Sequence, residues 1–425
     1  MTLPRHDNAV CAVTLRSLCR TTLRTFGLSP SWLTPPMPHD SALATVTRRQ
    51  LLLAGAAAMA ASPGQASAGA AAGRAVPLAL AGLGGADGSA PWRIAFGSCA
   101  RQNKPQPIWA AIAALDPQLF IFLGDNFYAD AKTPEELKAR YAEFRQVEAL
   151  QRFRQRFPHI AIWDDHDFGD DDVGGEYPHK QLSQQLFCDE WGEPADSQRR
   201  QREGIYQSWR IESGGRSVQI IALDLRYHRT ALLADPAKRQ GYTDMMARAA
   251  QGARDPIPGW YVPNADPAAS LLGAAQWDWL DSQLAQPADL RILMSSVQFA
   301  AEGTGWEAWS NFPLERQRLL DLVRVHRAEG LVTISGDMHY GELSRLDSPG
   351  LYPIWDMTSS GLTEVWAVPT PNTRRASAGV VAEPNFGLLE IDWAAAALQM
   401  TVRGLDGGVR LAHRLPLSQL RMPAA

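Results

Sequence analysis

Four short segments carry the residue types that metal-assisted chemistry needs. They are Ser98-Cys99, Gly124-Asp125-Asn126-Phe127-Tyr128, Ile162-Trp163-Asp164-Asp165-His166-Asp167 and Ser335-Gly336-Asp337-Met338-His339. Between them they offer a thiolate, a phenolate, several carboxylates and two imidazoles. A lone cysteine is usually a small buried hydrophobe and a lone Asp usually a helix cap. Four such groups in one chain are a donor set. Positions 164–172 hold six Asp and one His, a density that is electrostatically costly unless cations neutralise it. Asp337 and His339 stand two apart, so in an extended segment both point the same way and can grip one cation. Tyrosinate and carboxylate suit a hard trivalent ion, thiolate is the softer partner, and surplus carboxylates suit calcium. Cations so held could clamp phosphate oxygens and lower the pKa of a water.

Each segment follows a run that reads as a strand. Apolar, β-prone runs fall at 93–96, 119–123, 160–163, 217–223, 291–295 and 332–335, with helical patterns at 107–114, 134–154, 274–285 and 314–328. Strands alternating with helices predict an α/β sheet core. Runs at 387–392, 398–403 and 408–414 predict a β-meander closing the same domain. In open α/β sheets the site lies in the crevice outside the carboxyl ends of the strands, which is where these segments fall.

The ordered motifs resemble those of the alkaline phosphatase D family, and the resemblance covers roughly residues 92–392. Leu223-Asp224-Leu225-Arg226 also looks like a strand of that family with a trailing arginine. By resemblance the fold is the metallophosphoesterase four-layer α/β/β/α sandwich, with its metal site at strand C-terminal ends. The resemblance implies one iron (Fe3+) with one or two calcium ions (Ca2+) and hydrolysis of phosphate mono- and diesters at alkaline pH. It makes Cys99 and Tyr128 iron ligands and Asp125 a bridging ligand, with Asp337 and His339 completing the shell. Asp165 takes the place of an Asn ligand of the wider metallophosphoesterases, and His166 that of their general acid. Asp164 and Asp171 are further candidate metal ligands, and Asn126 and Arg226 candidate substrate contacts. The chain departs from its relatives at Asp170-Asp171-Asp172, where they often carry Asn.

Arg226, Arg229 and Lys180 could also hold a phosphate oxygen through charge-assisted bonds. His159, His179 and His228 belong to no constellation and read as structural. Trp306 and Trp309 are candidate cleft walls among 14 tryptophans. Two rival readings remain. One is a calcineurin-like or purple-acid-phosphatase-like enzyme, which would open with Asp-x-His instead of Ser98-Cys99. The other is a non-catalytic calcium-binding surface module, which leaves Cys99, Tyr128, His166 and His339 unexplained.

The front of the chain reads as an address. Thr47-Arg48-Arg49-Gln50-Leu51 opens an apolar run of about 11 residues, far short of the ~20 that cross a bilayer, and Ala66-Ser67-Ala68 follows as a small-residue cleavage site. A basic pair, a short apolar run and a small-residue exit predict a twin-arginine (Tat) signal, export by that machinery, and a periplasmic or secreted protein. The domains expected are an extension plus signal at 1–68, a flexible Ala/Gly-rich leader at 69–90 and one phosphoesterase domain at 91–425. Met37 is a candidate start. Cys11 and Cys19 precede the signal, so the mature chain keeps only Cys99 and Cys188 and needs no disulfide scaffold. The formal charge of -4 lacks the basic excess of a nucleic-acid surface. A phosphate ester is the implied partner, with no transmembrane helix in the mature chain.

Overall fold

Leu119-Phe120-Ile121-Phe122-Leu123 is apolar at every position, so it can only be a strand covered on both faces. The computed structural model describes residues 76–80, 83, 90–237 and 256–423, all within the unit Gly69–Ala425. In it Leu119–Leu123 is strand β3, buried throughout. The described strands in chain order are β1 (Val76–Pro77), β2 (Trp92–Gly97), β3, β4 (His159–Ile162), β5 (Gln207–Ser213), β6 (Arg216–Ala222), β7 (Leu290–Ser295), β8 (Leu331–Ser335), β9 (Gly341–Leu346), β10 (Ile354–Ser359), β11 (Asn385–Asp392), β12 (Ala397–Gly404) and β13 (Val409–Pro416).

They form two sheets, one ordered β1-β5-β6-β7-β8-β10-β9 and the other β13-β12-β11-β2-β3-β4. β2, β3 and β4 run parallel, as do β6, β7 and β8. The meander β11–β13 is antiparallel and joins the second sheet through β2. Where the sheets meet, Ser359 Oγ donates to Asn385 Oδ1 at 2.7 Å, and Phe96, Leu343, Met357 and Leu388 belong to one buried core. With helices outside both sheets, this is the four-layer α/β/β/α sandwich.

Helices form where caps and apolar spacing allow. Pro134–Arg145 starts on a capping box, with Thr133 Oγ1 accepting from Glu136 N and Glu136 Oε2 from Thr133 N, worth about 1 kcal/mol. The single helix expected over 134–154 is instead two. Val147 turns out of the helix (ψ 87°) and Glu148–Arg156 starts afresh, a break with no Gly or Pro to announce it. Within the 69–90 leader, read from composition as flexible, the described residues are held by contacts. Val76–Pro77 pairs with Trp209–Arg210 as an edge strand, and Leu78, Leu80 and Leu83 pack on the core. The predicted signal, its cleavage site, Met37, Cys11 and Cys19 lie outside the described residues. Cys99 and Cys188 are both buried and unpaired. Among the described residues no helix is long and apolar enough to cross a membrane.

Candidate metal centre

The parallel strands deliver their next residues to one end of the sandwich. β2 leads into Ser98-Cys99, β3 into Gly124-Asp125, β4 into Trp163–Asp167 and β8 into Gly336-Asp337. Two glycines make the turns possible. A Cβ on Gly124 (φ +96°) would stand 2.5 Å from Asp164 Cβ, and one on Gly336 would stand 2.6 Å from Ser98 Oγ. The donors that follow are themselves strained. Cys99 (φ 64°), Asp125 (48°), Asp337 (72°) and His339 (56°) all take the left-handed conformation, as do Asp130 (45°) and Asp172 (56°). Each costs about 1–3 kcal/mol and persists only where the surroundings impose it; such residues cluster at functional sites.

The strain brings donors together. Cys99, Asp125 and His339 offer ligand atoms within 4.8 Å of one another, and so do Asp164, Asp165 and Asp337. The Cys99 thiol and the Tyr128 hydroxyl donate to Asp125 Oδ2 at 3.3 and 3.4 Å, and the same hydroxyl lies 2.9 Å from His339 Nε2. The other oxygen of Asp125, Oδ1, is buried without a hydrogen-bond partner. A carboxylate with one oxygen orphaned, grouped with a thiol, a phenol and an imidazole, is a donor set that fits a cation.

Electrostatics agree. Burial, then neighbouring carboxylates, push the Asp337 carboxyl well above its usual range. Burial does the same to Asp125, against the pull of His166. Asp164 is pushed up to about 7, by burial first and against the pull of Arg226. Burial, then Asp125, raises the Cys99 thiol, and burial, then Cys99, raises the Tyr128 phenol. Burial lowers His339 to about 3, leaving a neutral ring able to ligate. Cys99, Asp125, Tyr128, Asp164 and Asp337 thus hold protons that a cation would replace, whereas Asp165, against its burial, is held low by His166 and Arg226.

Asp167 carries no ligand atom into these groups but organises them. Its carboxylate accepts from Asp164 N (2.6 Å), Asp125 N and Asn126 N (both 3.2 Å) and Asn126 Nδ2 (2.6 Å). It therefore ties the turn after β3 to the turn after β4. Asn126 also donates to Ile162 O at 2.9 Å. It is buried and does not line the cleft, so the structure gives it this positioning role instead of substrate contact.

His166 stands at the cleft wall with its ring on Tyr128, centroids 4.2 Å apart. Nδ1 donates to Asp130 Oδ1 at 2.5 Å, which turns Nε2 toward Asp171 Oδ1 (3.7 Å) and Asp165 Oδ2 (4.0 Å). Burial opposes charge on the ring, but Asp165, Asp125 and Asp130 outweigh it and hold the imidazolium pKa well above the usual value. Asp171 lines the cleft but belongs to none of the clustered donor groups. Asp172 and Glu307 do, together with Asp165.

The arginine expected at the phosphate lies elsewhere. Arg226 is fully buried. Its Nε donates to Asp164 Oδ1 at 2.6 Å, and its two terminal nitrogens fork onto Glu307 at 2.9 and 2.6 Å. It is a counter-charge beneath the acidic cluster. Arg229 Nη2 donates to Asp172 O, and Lys180 Nζ to Gly175 O and Tyr227 O. Arg101, which sequence reasoning missed, is the arginine that lines the cleft, 3.8 Å over the Tyr128 ring and 3.4 Å from Glu364. Trp306 walls the cleft, whereas Trp309 is wholly buried and donates to Ser295 Oγ. Trp260 and Trp366 join Trp306 in the wall. None of His159, His179 and His228 lines it. Asp130 was open to discovery five residues after Asp125; Glu307, Trp260 and Trp366 sit in loops that carry no motif.

The PhoD-like phosphatase family profile matches residues 94–384. Alkaline phosphatase D of Bacillus subtilis (strain 168) is 25% identical over 235 residues, 51% of this chain and 37% of that protein. The match therefore spans well under two thirds of the relative's length. A solved structure of PhoD superposes with a TM-score of 0.57 at 14% identity, over 79% of this chain and 72% of that one, a likeness of fold. A purple acid phosphatase from yellow lupin (Lupinus luteus) seeds gives 0.49 at 12% identity, over 77% and 54%.

Proposed function

This chain belongs to the PhoD-like phosphatase family, and on that premise we propose that it is a metal-dependent phosphoric ester hydrolase acting on mono- or diesters. The observation that carries the reading is the convergence of Cys99, Asp125, Tyr128 and His339, with one oxygen of the Asp125 carboxylate held by thiol and phenol and the other buried without a partner. Cys99, Tyr128, Asp125 and His339 would hold a trivalent iron, and Asp125, Asp164, Asp165 and Asp337 one or two calcium ions, in keeping with the hardness of their donors. Bound there, the cations would neutralise the carboxylates and supply Lewis acidity toward a phosphoryl group.

The chain's own residues do the rest. His166 enters protonated, kept so by Asp165 and Asp130. With Nδ1 engaged by Asp130, Nε2 gives its proton to the leaving alcohol oxygen as the ester P–O bond breaks; water supplies the oxygen that phosphorus gains, and the proton it releases restores His166. Arg226 and Asp167 hold the acidic loops in register. The Arg48-Arg49 signal supports export through the Tat machinery to the periplasm or beyond, a route that carries folded, metal-loaded proteins. Residues 69–425 would form the mature enzyme.

The test is hydrolysis of p-nitrophenyl phosphate and bis(p-nitrophenyl) phosphate by residues 69–425 supplied with iron and calcium. Turnover that Asp337→Asn abolishes supports the reading. Turnover absent in the wild type, with calcium still bound, would favour the non-catalytic calcium module.

A further inference from the structure

The cleft is acidic except along one side. Trp306 packs edge-to-face on Trp260 and on Trp366, with centroids 4.9 and 5.0 Å apart. The three rings belong to a hydrophobic cluster separate from the main core, with Ile257, Met338 and Val368. Trp306 anchors it, 8% exposed and donating Nε1–H to Ile257 O at 3.1 Å. Trp260 and Trp366 are only half-buried and line the cleft on either side of it. Both rings, packed on one side, present part of their surface to a cleft that seven acidic side chains also line.

The position of this wall follows from contacts round the rim. From His166 they run through Tyr128 and His339 to Trp366, whose ring lies 5.6 Å from that of His339. In the other direction Trp260 packs on Tyr261, whose hydroxyl donates to Asp172 Oδ2 at 2.5 Å, beside the Asp171 that faces His166. Both routes reach the tryptophans without His166 touching them: Tyr128 and His339 lie between it and Trp366, and Asp171, Asp172 and Tyr261 between it and Trp260. A proton donor must stand at the leaving oxygen, so a stretch of the cleft lining set apart from His166 is free to meet whatever else phosphorus carries.

We propose that Trp260, Trp306 and Trp366 form the subsite for the organic group that stays on phosphorus, and that they select esters carrying a flat apolar ring there. The inference rests on the phosphoesterase reading. A planar group extends the herringbone of rings with offset or edge-to-face contacts, which a methyl or a hydrated oxygen cannot make.

The test keeps the leaving group constant. Methyl p-nitrophenyl phosphate and phenyl p-nitrophenyl phosphate both release p-nitrophenolate and differ only in the retained group. The wild type should favour the phenyl ester in kcat/KM by about tenfold or more. Trp366→Ala and Trp260→Ala should each cut that ratio to within about threefold, and Trp366→Phe should restore most of it. Thymidine 5′-(p-nitrophenyl) phosphate, outrunning the phenyl ester or falling behind it, tells a nucleobase from a simple aryl ring. Binding of phenylphosphonate against methylphosphonate, read by tryptophan fluorescence, should show the same order without turnover. A wild-type ratio near one, or a ratio that both alanine variants leave intact, would overturn the subsite. Hydrolysis of neither diester, nor of p-nitrophenyl phosphate, would overturn the phosphoesterase reading instead, and the phosphonate pair then decides the subsite alone.

Discussion

The hydroxyl oxygen of Tyr128 lies 2.9 Å from Nε2 of His339, across 211 positions of sequence. Tyr128 follows β3 of one sheet and His339 follows β8 of the other, so this contact joins the two halves of the sandwich where the donors converge.

If that pair ligates a trivalent iron, Tyr128→Phe removes a ligand without removing a ring. The variant should fold and lose the visible tyrosinate-to-iron absorption, with kcat down by at least the 10–100-fold typical of metal-site substitutions. An unchanged absorption spectrum would take Tyr128 out of the metal shell.

Asp167 is the strap between the two acidic turns. Asp167→Ala strands the amides of Asp125, Asn126 and Asp164, and each buried unsatisfied donor costs about 1–3 kcal/mol. Denaturant midpoints should fall accordingly, and metal affinity with them. An unfolding free energy within about 0.5 kcal/mol of the wild type, the scatter of neutral surface changes, would show that the turns hold without it.

Arg226 separates the positioning role from the phosphate-clamp role. Removing one partner of a buried ion pair costs about 3–5 kcal/mol, so Arg226→Met should lower the unfolding midpoint sharply by leaving Asp164 and Glu307 unpaired. Should the midpoint hold while KM for the ester rises tenfold, Arg226 would be the clamp after all.

Proton linkage gives a signed prediction for the metal-free protein. The folded-state pKa of Asp164 stands near 7, against about 3.9 for a free carboxyl, and Asp125 and Asp337 shift the same way. Between those values the folded chain binds more protons than the unfolded chain, so stability falls as pH rises. After chelation the melting temperature should therefore drop from pH 4 toward pH 7, and added calcium should remove that slope by taking the protons' place. A chelated protein that gains stability over this window contradicts the assignment.

Asp130 raises the pKa of His166 by its hydrogen bond and its charge. Asp130→Asn takes away that charge, so the alkaline limb of the kcat profile should move to lower pH. A limb that stays put would assign the proton transfer to another group.

Much of this was legible before any coordinates. The all-apolar run 119–123 could only be a covered strand, and Asp125 and Tyr128 follow it at a spacing that survives folding. The chemistry-bearing segments announce themselves because each is local: a strand, a turn, a donor. What failed to show was what other segments bring. A trailing arginine after a strand reads as an anion clamp, and nothing near Arg226 in sequence reveals that Asp164 and Glu307 enclose it. Strands β9 and β10 were missed because they bury Glu342, Ser344, Asp356 and Thr358, polar groups engaged by distant partners such as Gln298, Asn372 and the amides of Phe299 and Ala300. Of the tryptophan wall the sequence marks Trp306 alone; Trp260 and Trp366 reach it from other loops with no period to betray them.

The most direct test of the metal centre is elemental analysis of residues 69–425, purified after export without added metal, beside Cys99→Ala and Asp125→Ala. The account predicts iron near one per chain with calcium bound as well, iron lost from both variants, and calcium lost from Asp125→Ala alone. Wild-type protein free of metal, or metal content that neither substitution changes, would contradict it.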